Sequence, residues 1–196
     1  MSFKQFIIIP IGIAVLAVLL VMLAPNPPSD KAVPHLWTWI SFQAWAMYFL
    51  AGCTLKGGVK VMLGYLGGAL ASIAIFELAG PLGKFLPGNW GLYAAVFIVV
   101  IGVISAERVP WFDFVPSWFI GAGVFFGVMF LNPWAADARW AQHVSSFGDW
   151  GLDKRWIYYL LTVTHLMVSC AVGQVFGIVT VLGRTRYEGW LKAKKG

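Results

Sequence analysis

Few residues in this sequence could do chemistry, and those that could stand in apolar surroundings. His165 lies in Thr162-Val-Thr-His-Leu-Met-Val-Ser. Thr162 and Ser169 fall about one helical turn to either side of it, on the same face, and Gln174 follows further along. Together they make one polar stripe in an apolar segment. A histidine titrates near neutral pH, so the stripe could line a pore or sense protons. The same residues also fit a neutral histidine bonding a neighbouring helix.

Other polar residues are scattered. Gln43 is an isolated amide one turn from Trp39, and Asp113 precedes Pro116, whose ring could free a backbone carbonyl to line a cavity. Glu77 sits near the end of an apolar run, where it could reach an interface. Catalytic constellations are missing. No G-x-S-x-G, H-E-x-x-H or Walker A pattern occurs, and His35, His143 and His165 lie in separate segments. Cys53 and Cys170 form no C-x-x-C pair. The expectation is a chain with no catalytic residues, no metal site and no cofactor.

The elements that must position these groups follow from composition. Of 196 residues, 60% are hydrophobic and 11% charged. A soluble domain carries about 25% charged residues, so lipid is the solvent that fits. The expected fold is all-α, a polytopic transmembrane bundle forming a single integral membrane domain over 1–196. Six spans emerge, at 6–24, 36–53, 61–79, 91–106, 111–131 and 156–182. Asn26-Pro-Pro and the Gly80-Pro81 to Pro87-Gly88 stretch read as helix breakers. The first span follows Lys4 as a signal peptide would, but its exit, Leu-Ala-Pro, is a poor cleavage site.

Charge sets the expected topology. With the N-terminus inside, nine basic residues lie inside, including five in a tail at 184–196, against five outside. Both termini are then cytoplasmic, and 133–155 becomes an external loop. Trp37, Trp39, Trp90, Trp134 and Trp156 mark the outer face, Trp111 and Trp190 the inner one. The net charge of +6 is spent on this topology and on anionic lipid, which excludes nucleic acid as a partner.

Three spans carry glycines four apart: Gly64/Gly68, Gly123/Gly127 and Gly173/Gly177. Such pairs let helices approach closely, within one bundle or between subunits. Trp39-Ile-Ser-Phe-Gln-Ala-Trp in the second span also echoes Trp111-Phe-Asp-Phe-Val-Pro-Ser-Trp in the fifth. The two lie three crossings apart, which would suit an inverted 3+3 repeat.

The segments Phe42-Gln-Ala-Trp-Ala-Met-Tyr-Phe-Leu-Ala-Gly-Cys, Lys56-Gly-Gly-Val-Lys and Phe114-Val-Pro-Ser-Trp-Phe-Ile-Gly-Ala-Gly-Val-Phe-Phe resemble the YcdZ-like bacterial inner-membrane family, a family of unknown function. The likeness covers residues 36–130. It implies a small multi-pass protein of the bacterial inner membrane and brings no site residues with it. Two functions are compatible with these features. One is a channel or facilitator for a small neutral or weakly polar solute, working as a homo-oligomer. The other is a non-catalytic accessory subunit of a larger membrane complex.

Overall fold

The structure, a computed structural model, describes residues 2–23, 36–131 and 152–194. All regular structure among them is helical. A short turn, α1 (Phe3–Phe6), leads into α2 (Ile8–Leu23). There follow α3 (Thr38–Leu50), α4 (Leu55–Gly83), α5 (Trp90–Ser105), α6 (Val115–Leu131) and α7 (Leu152–Ala193). Four segments are long and apolar enough to cross a membrane: Phe3–Leu23, Leu55–Gly83, Trp90–Arg108 and Arg155–Ala193. Large apolar side chains such as Val15, Val18, Phe97 and Ile101 lie exposed along α2 and α5, a surface that suits lipid rather than water.

Several boundaries differ from the sequence expectation, each for a local reason. α3 has 13 residues and so spans about 20 Å, short of a bilayer's hydrocarbon core. It stops at Gly52, whose φ of 89° is left-handed and favours glycine. Thr54 then restarts the chain as α4, its Oγ1 accepting the Gly57 N–H at 3.0 Å. α4 does not break at Gly80-Pro81 but runs through to Gly83. The proline lies so near the end of the helix that little of the hydrogen-bond ladder beyond it is lost.

Pro116 is the second residue of α6, which begins at Val115 rather than Trp111. N–H groups in a first turn have no intrahelical partner, so this proline frees no carbonyl. α7 is 42 residues long and continues through most of the basic tail. No proline interrupts the tail, and Arg184 and Glu188 pair one turn apart at 2.8 Å, which adds a little to its helix. Residues 152–155, assigned from sequence to the external loop, already belong to α7. The rest of that loop lies outside the described residues.

The chain packs as two compact units. Unit one comprises residues 1–58 and 168–196, and unit two residues 59–167. In unit one the buried side chains are Leu20, Ile40, Ala44, Trp45, Tyr48 and Cys170 among others. Tyr187 donates its hydroxyl to the Gln5 carbonyl at 2.9 Å, holding the start of the chain to its end. In unit two an aromatic cluster of Phe76, Phe125 and Tyr159 forms the core, with Phe76 and Tyr159 stacked at 6.3 Å. Gly91 at the start of α5 sits against the Gly83 backbone, where an added Cβ would come within 2.5 Å, so α4 and α5 form a tight hairpin.

Candidate functional site

In unit one the polar groups gather where α3 meets α7. The serine hydroxyl of Ser41 donates to the Ser169 carbonyl at 2.9 Å. The Trp37 N–H, just ahead of α3, donates to Ser169 Oγ at 2.8 Å. Gln174 Nε2 donates to the Ala44 carbonyl at 2.7 Å. The helices can approach this closely because Gly173 lies against the backbone of Ser41 and Trp45 and Gly177 lies against the Tyr48 ring. A methyl group at either glycine would collide with α3.

Unit two repeats this arrangement with α6 against α4. Ser117 Oγ lies 3.4 Å from the Lys60 carbonyl and donates to the Phe114 carbonyl at 2.8 Å. Gly64 stands against Ser117, and Gly68 against the backbone of Trp118 and Ala122. In both units a serine hydroxyl reaches the carbonyl four residues ahead of the first glycine of a pair. In both, contacts advance along the two helices in the same direction, so each pair is parallel. An aromatic residue, Phe42 or Trp118, follows the serine directly.

The glycine expectations divide accordingly. Gly64, Gly68, Gly173 and Gly177 are the close contacts. Gly123 and Gly127 are not: a Cβ at either would meet nothing within 4 Å. The glycine of α6 that packs is Gly121, where a Cβ would stand 2.6 Å from Tyr65 Cα. It lies on the opposite side of the helix from the pair, in line with Ser117.

The polar stripe of α7 is buried at each position: Thr162, His165, Ser169 and Gln174. In unit two, Thr162 Oγ1 lies 3.5 Å from Met129 Sδ. His165 Nδ1 lies 2.7 Å from the Leu161 carbonyl of its own helix. A carbonyl can only accept, so Nδ1 carries the proton. Gln43 and Asp113, the other cavity candidates, take different places. Gln43 is exposed, because the packed face of α3 carries Ser41, Ala44, Trp45 and Tyr48. Asp113 pairs with Lys60 at 2.5 Å near the start of α4.

Sequence reasoning missed a second ionic contact in unit two. Arg155 Nη2 lies 3.3 Å from Glu77 Oε2, and Tyr159 donates to Glu77 Oε1 at 3.0 Å. The only signal was one turn's spacing between Arg155 and Tyr159. Lys60 and Glu77 carry the two ion pairs of α4, and no charged residue lies between them. Their separation along the helix is about 25 Å, close to the apolar thickness of a bilayer. The uncharged stretch between the pairs is thus long enough to cross a bilayer.

Two buried polar atoms in unit one have no hydrogen-bond partner among the described residues: Gln174 Oε1 and Trp45 Nε1. One accepts and the other donates. Gln174 Oε1 lies beside Gly58 and Tyr48, 3.1 Å from where a Cβ on Gly58 would stand. Among the described residues no group of three or more His, Cys, Asp or Glu side chains is placed to hold a metal ion.

Comparison with known sequences gives one match. The family model described as a protein of unknown function, DUF1097, covers residues 10–184. No curated protein and no solved structure matches.

Proposed function

The chain belongs to the DUF1097 family of proteins of unknown function, and on that premise we propose that it is a passive channel or facilitator for a small neutral or weakly polar solute. The observation that carries this reading is the repeated serine–glycine module. α2, α3 and α4 form one set of three helices, and α5, α6 and α7 the second. In each set the first helix is peripheral, with 11% of its apolar window buried. The second carries the serine and the third the glycine pair. The modules pair the second helix of one set with the third helix of the other.

With six crossings, α3 and α7 both run inward and α4 and α6 both run outward. Opposite crossing directions for the two helix pairs would give the topology of an inverted repeat, the plan on which many transporters place a solute path. The neutral polar groups of Ser41, Ser169 and Gln174 favour a neutral solute over an ion, which would need a compensating charge. We place the protein in the bacterial inner membrane with both termini in the cytoplasm.

The open glycine face of α6, at Gly123 and Gly127, favours association with another helix. In the transport reading that helix belongs to a second copy of the chain. In the alternative reading it belongs to a larger complex in which this protein is an accessory subunit. Purification in mild detergent separates the two: a symmetric oligomer of one chain supports transport, and co-purifying foreign subunits support the accessory role. The transport reading itself is tested in proteoliposomes. Light scattering after an osmotic step is expected to report faster entry of small neutral solutes than in protein-free vesicles. Equal rates across a panel of such solutes would reject it.

A further inference from the structure

Within unit one the open face of α7 changes character along its length. Val175, Val179 and Leu182 are exposed large apolar side chains. Arg186, Trp190 and Lys194 continue the same line in helical steps, and all three are exposed as well. The other side of the helix is the packed one. Gly173 and Gly177 meet α3, Thr180 and Leu191 are buried, and Tyr187 donates to the Gln5 carbonyl at 2.9 Å. These contacts hold α7 with its open line turned outward on both sides of Arg184, the first charge after Leu182. Arg186 follows Leu182 by about 6 Å along the axis, and a headgroup layer is about 5–8 Å deep on each side of a bilayer. Helical side chains lean toward the start of their helix, here back toward the apolar segment. Lys194 shows this directly, its Nζ lying 3.9 Å from the centroid of the Trp190 ring one turn earlier. The one acidic residue of the tail, Glu188, is committed to Arg184 at 2.8 Å. Among the described residues Arg186 has no acidic partner.

We propose that the Arg186–Trp190–Lys194 face of α7 binds an anionic phospholipid of the leaflet next to its C-terminal end. The acyl chains lie along Val175, Val179 and Leu182, and the phosphate meets the Arg186 guanidinium. Trp190 lies at the headgroup level, where indole rings are favoured, and Lys194 adds a second positive charge on the same line. The continuity of the line selects a lipid over a free anion, because a free phosphate makes no use of the apolar half. The charge selects an anionic lipid over a zwitterionic one, whose headgroup amine would approach a face that carries only cations. The site stands apart from the solute path and does not depend on transport.

The experiment titrates full-length protein in detergent with phosphatidylglycerol, or with phosphatidylcholine of the same chains, and counts retained lipids by native mass spectrometry. Phosphatidylglycerol is expected to bind more tightly, and the difference to shrink as ammonium acetate rises. Arg186→Gln and Lys194→Gln should each weaken phosphatidylglycerol binding about fivefold, the scale of one basic side chain at an anionic surface. Lys192→Gln removes the same charge from an exposed position off the line and should leave binding near that of the wild type. Unchanged elution profiles would show that all three variants fold. A loss for Lys192→Gln equal to that for Arg186→Gln would mean that net charge alone attracts lipid, and would overturn the site. Equal binding of the two lipids would overturn it as well. Displacement of phosphatidylglycerol by inorganic phosphate at constant ionic strength would assign the cations to a free anion instead. A change of oligomer mass in Arg186→Gln, with lipid binding kept, would make the line a contact between copies and overturn the proposal.

Discussion

Ser41 Oγ donates to the Ser169 carbonyl at 2.9 Å, four residues ahead of Gly173. The bond ties two helices more than a hundred residues apart in sequence, and the glycine allows them to be close enough for it to form. Ser169 in turn accepts the Trp37 N–H through its own hydroxyl. α3, at 13 residues, gains part of its anchoring from this single serine.

Replacing Ser169 with Ala removes the acceptor of the Trp37 N–H and leaves that donor without this partner. The expected loss is about 1–2 kcal/mol, read as a lower midpoint of thermal unfolding in detergent. Ser41→Ala should cost less. The Ser169 carbonyl that it would release lies within α7, where the helical ladder also supplies a donor. Equal midpoints for Ser169→Ala and wild type would contradict the anchoring role.

The glycines of α6 should separate in the same assay. Gly121→Ala places a Cβ against the Tyr65 backbone and should lower the yield of folded protein. Gly127→Ala meets open space within the chain and should leave the fold as stable or up to about 1 kcal/mol more so, because alanine favours a helix, with any loss confined to association through that face. Size-exclusion profiles of fluorescent fusions would show the contrast. The reverse order would mean that α6 is turned with its other face inward.

The ion pairs of α4 predict rescue by exchange. Lys60→Asp sets a second carboxylate beside that of Asp113, and adding Asp113→Lys should restore the lost stability. At Glu77 and Arg155 a double-mutant cycle should give a coupling of about 1 kcal/mol, modest because both side chains reach partly into solvent. Tyr159→Phe should reproduce part of the loss caused by Glu77→Gln, since the hydroxyl bonds the same carboxylate. Additive losses at Glu77 and Arg155 would contradict the pairing.

Much of this fold was legible in the sequence because apolar runs long enough for lipid are unambiguous. Glycine pairs marked the faces of α4 and α7 that meet a neighbour. Gly123 and Gly127 show the limit of that signal, since spacing alone does not say which side of a helix carries the contact. The likeness between α3 and α6 was read through Trp39 and Trp111, whereas packing matches Ser41 with Ser117. Aromatic residues dominate a sequence comparison by rarity, but in this fold the small residues set the approach of the helices. Gln43 looked like a cavity residue because it is polar. Its place on α3, off the line of Ser41, Ala44, Trp45 and Tyr48, turns it outward. The bonds of Glu77 and Asp113 join segments distant in the chain, and no local pattern foretold them.

Opposite crossing directions for α3 and α6 are the central claim, and cysteine accessibility measures them most directly. Cys53, just after α3, is exposed and Cys170 is buried, so the native chain carries one reactive reporter. Val109→Cys, in a Cys53→Ser background, puts a second reporter just before α6 at a position that is also exposed. If α3 runs inward and α6 outward, both positions lie in the cytoplasm. A membrane-impermeant maleimide should then label neither in spheroplasts and both in inverted vesicles. Labelling of one position from each side would set α3 and α6 in the same direction and contradict the inverted repeat.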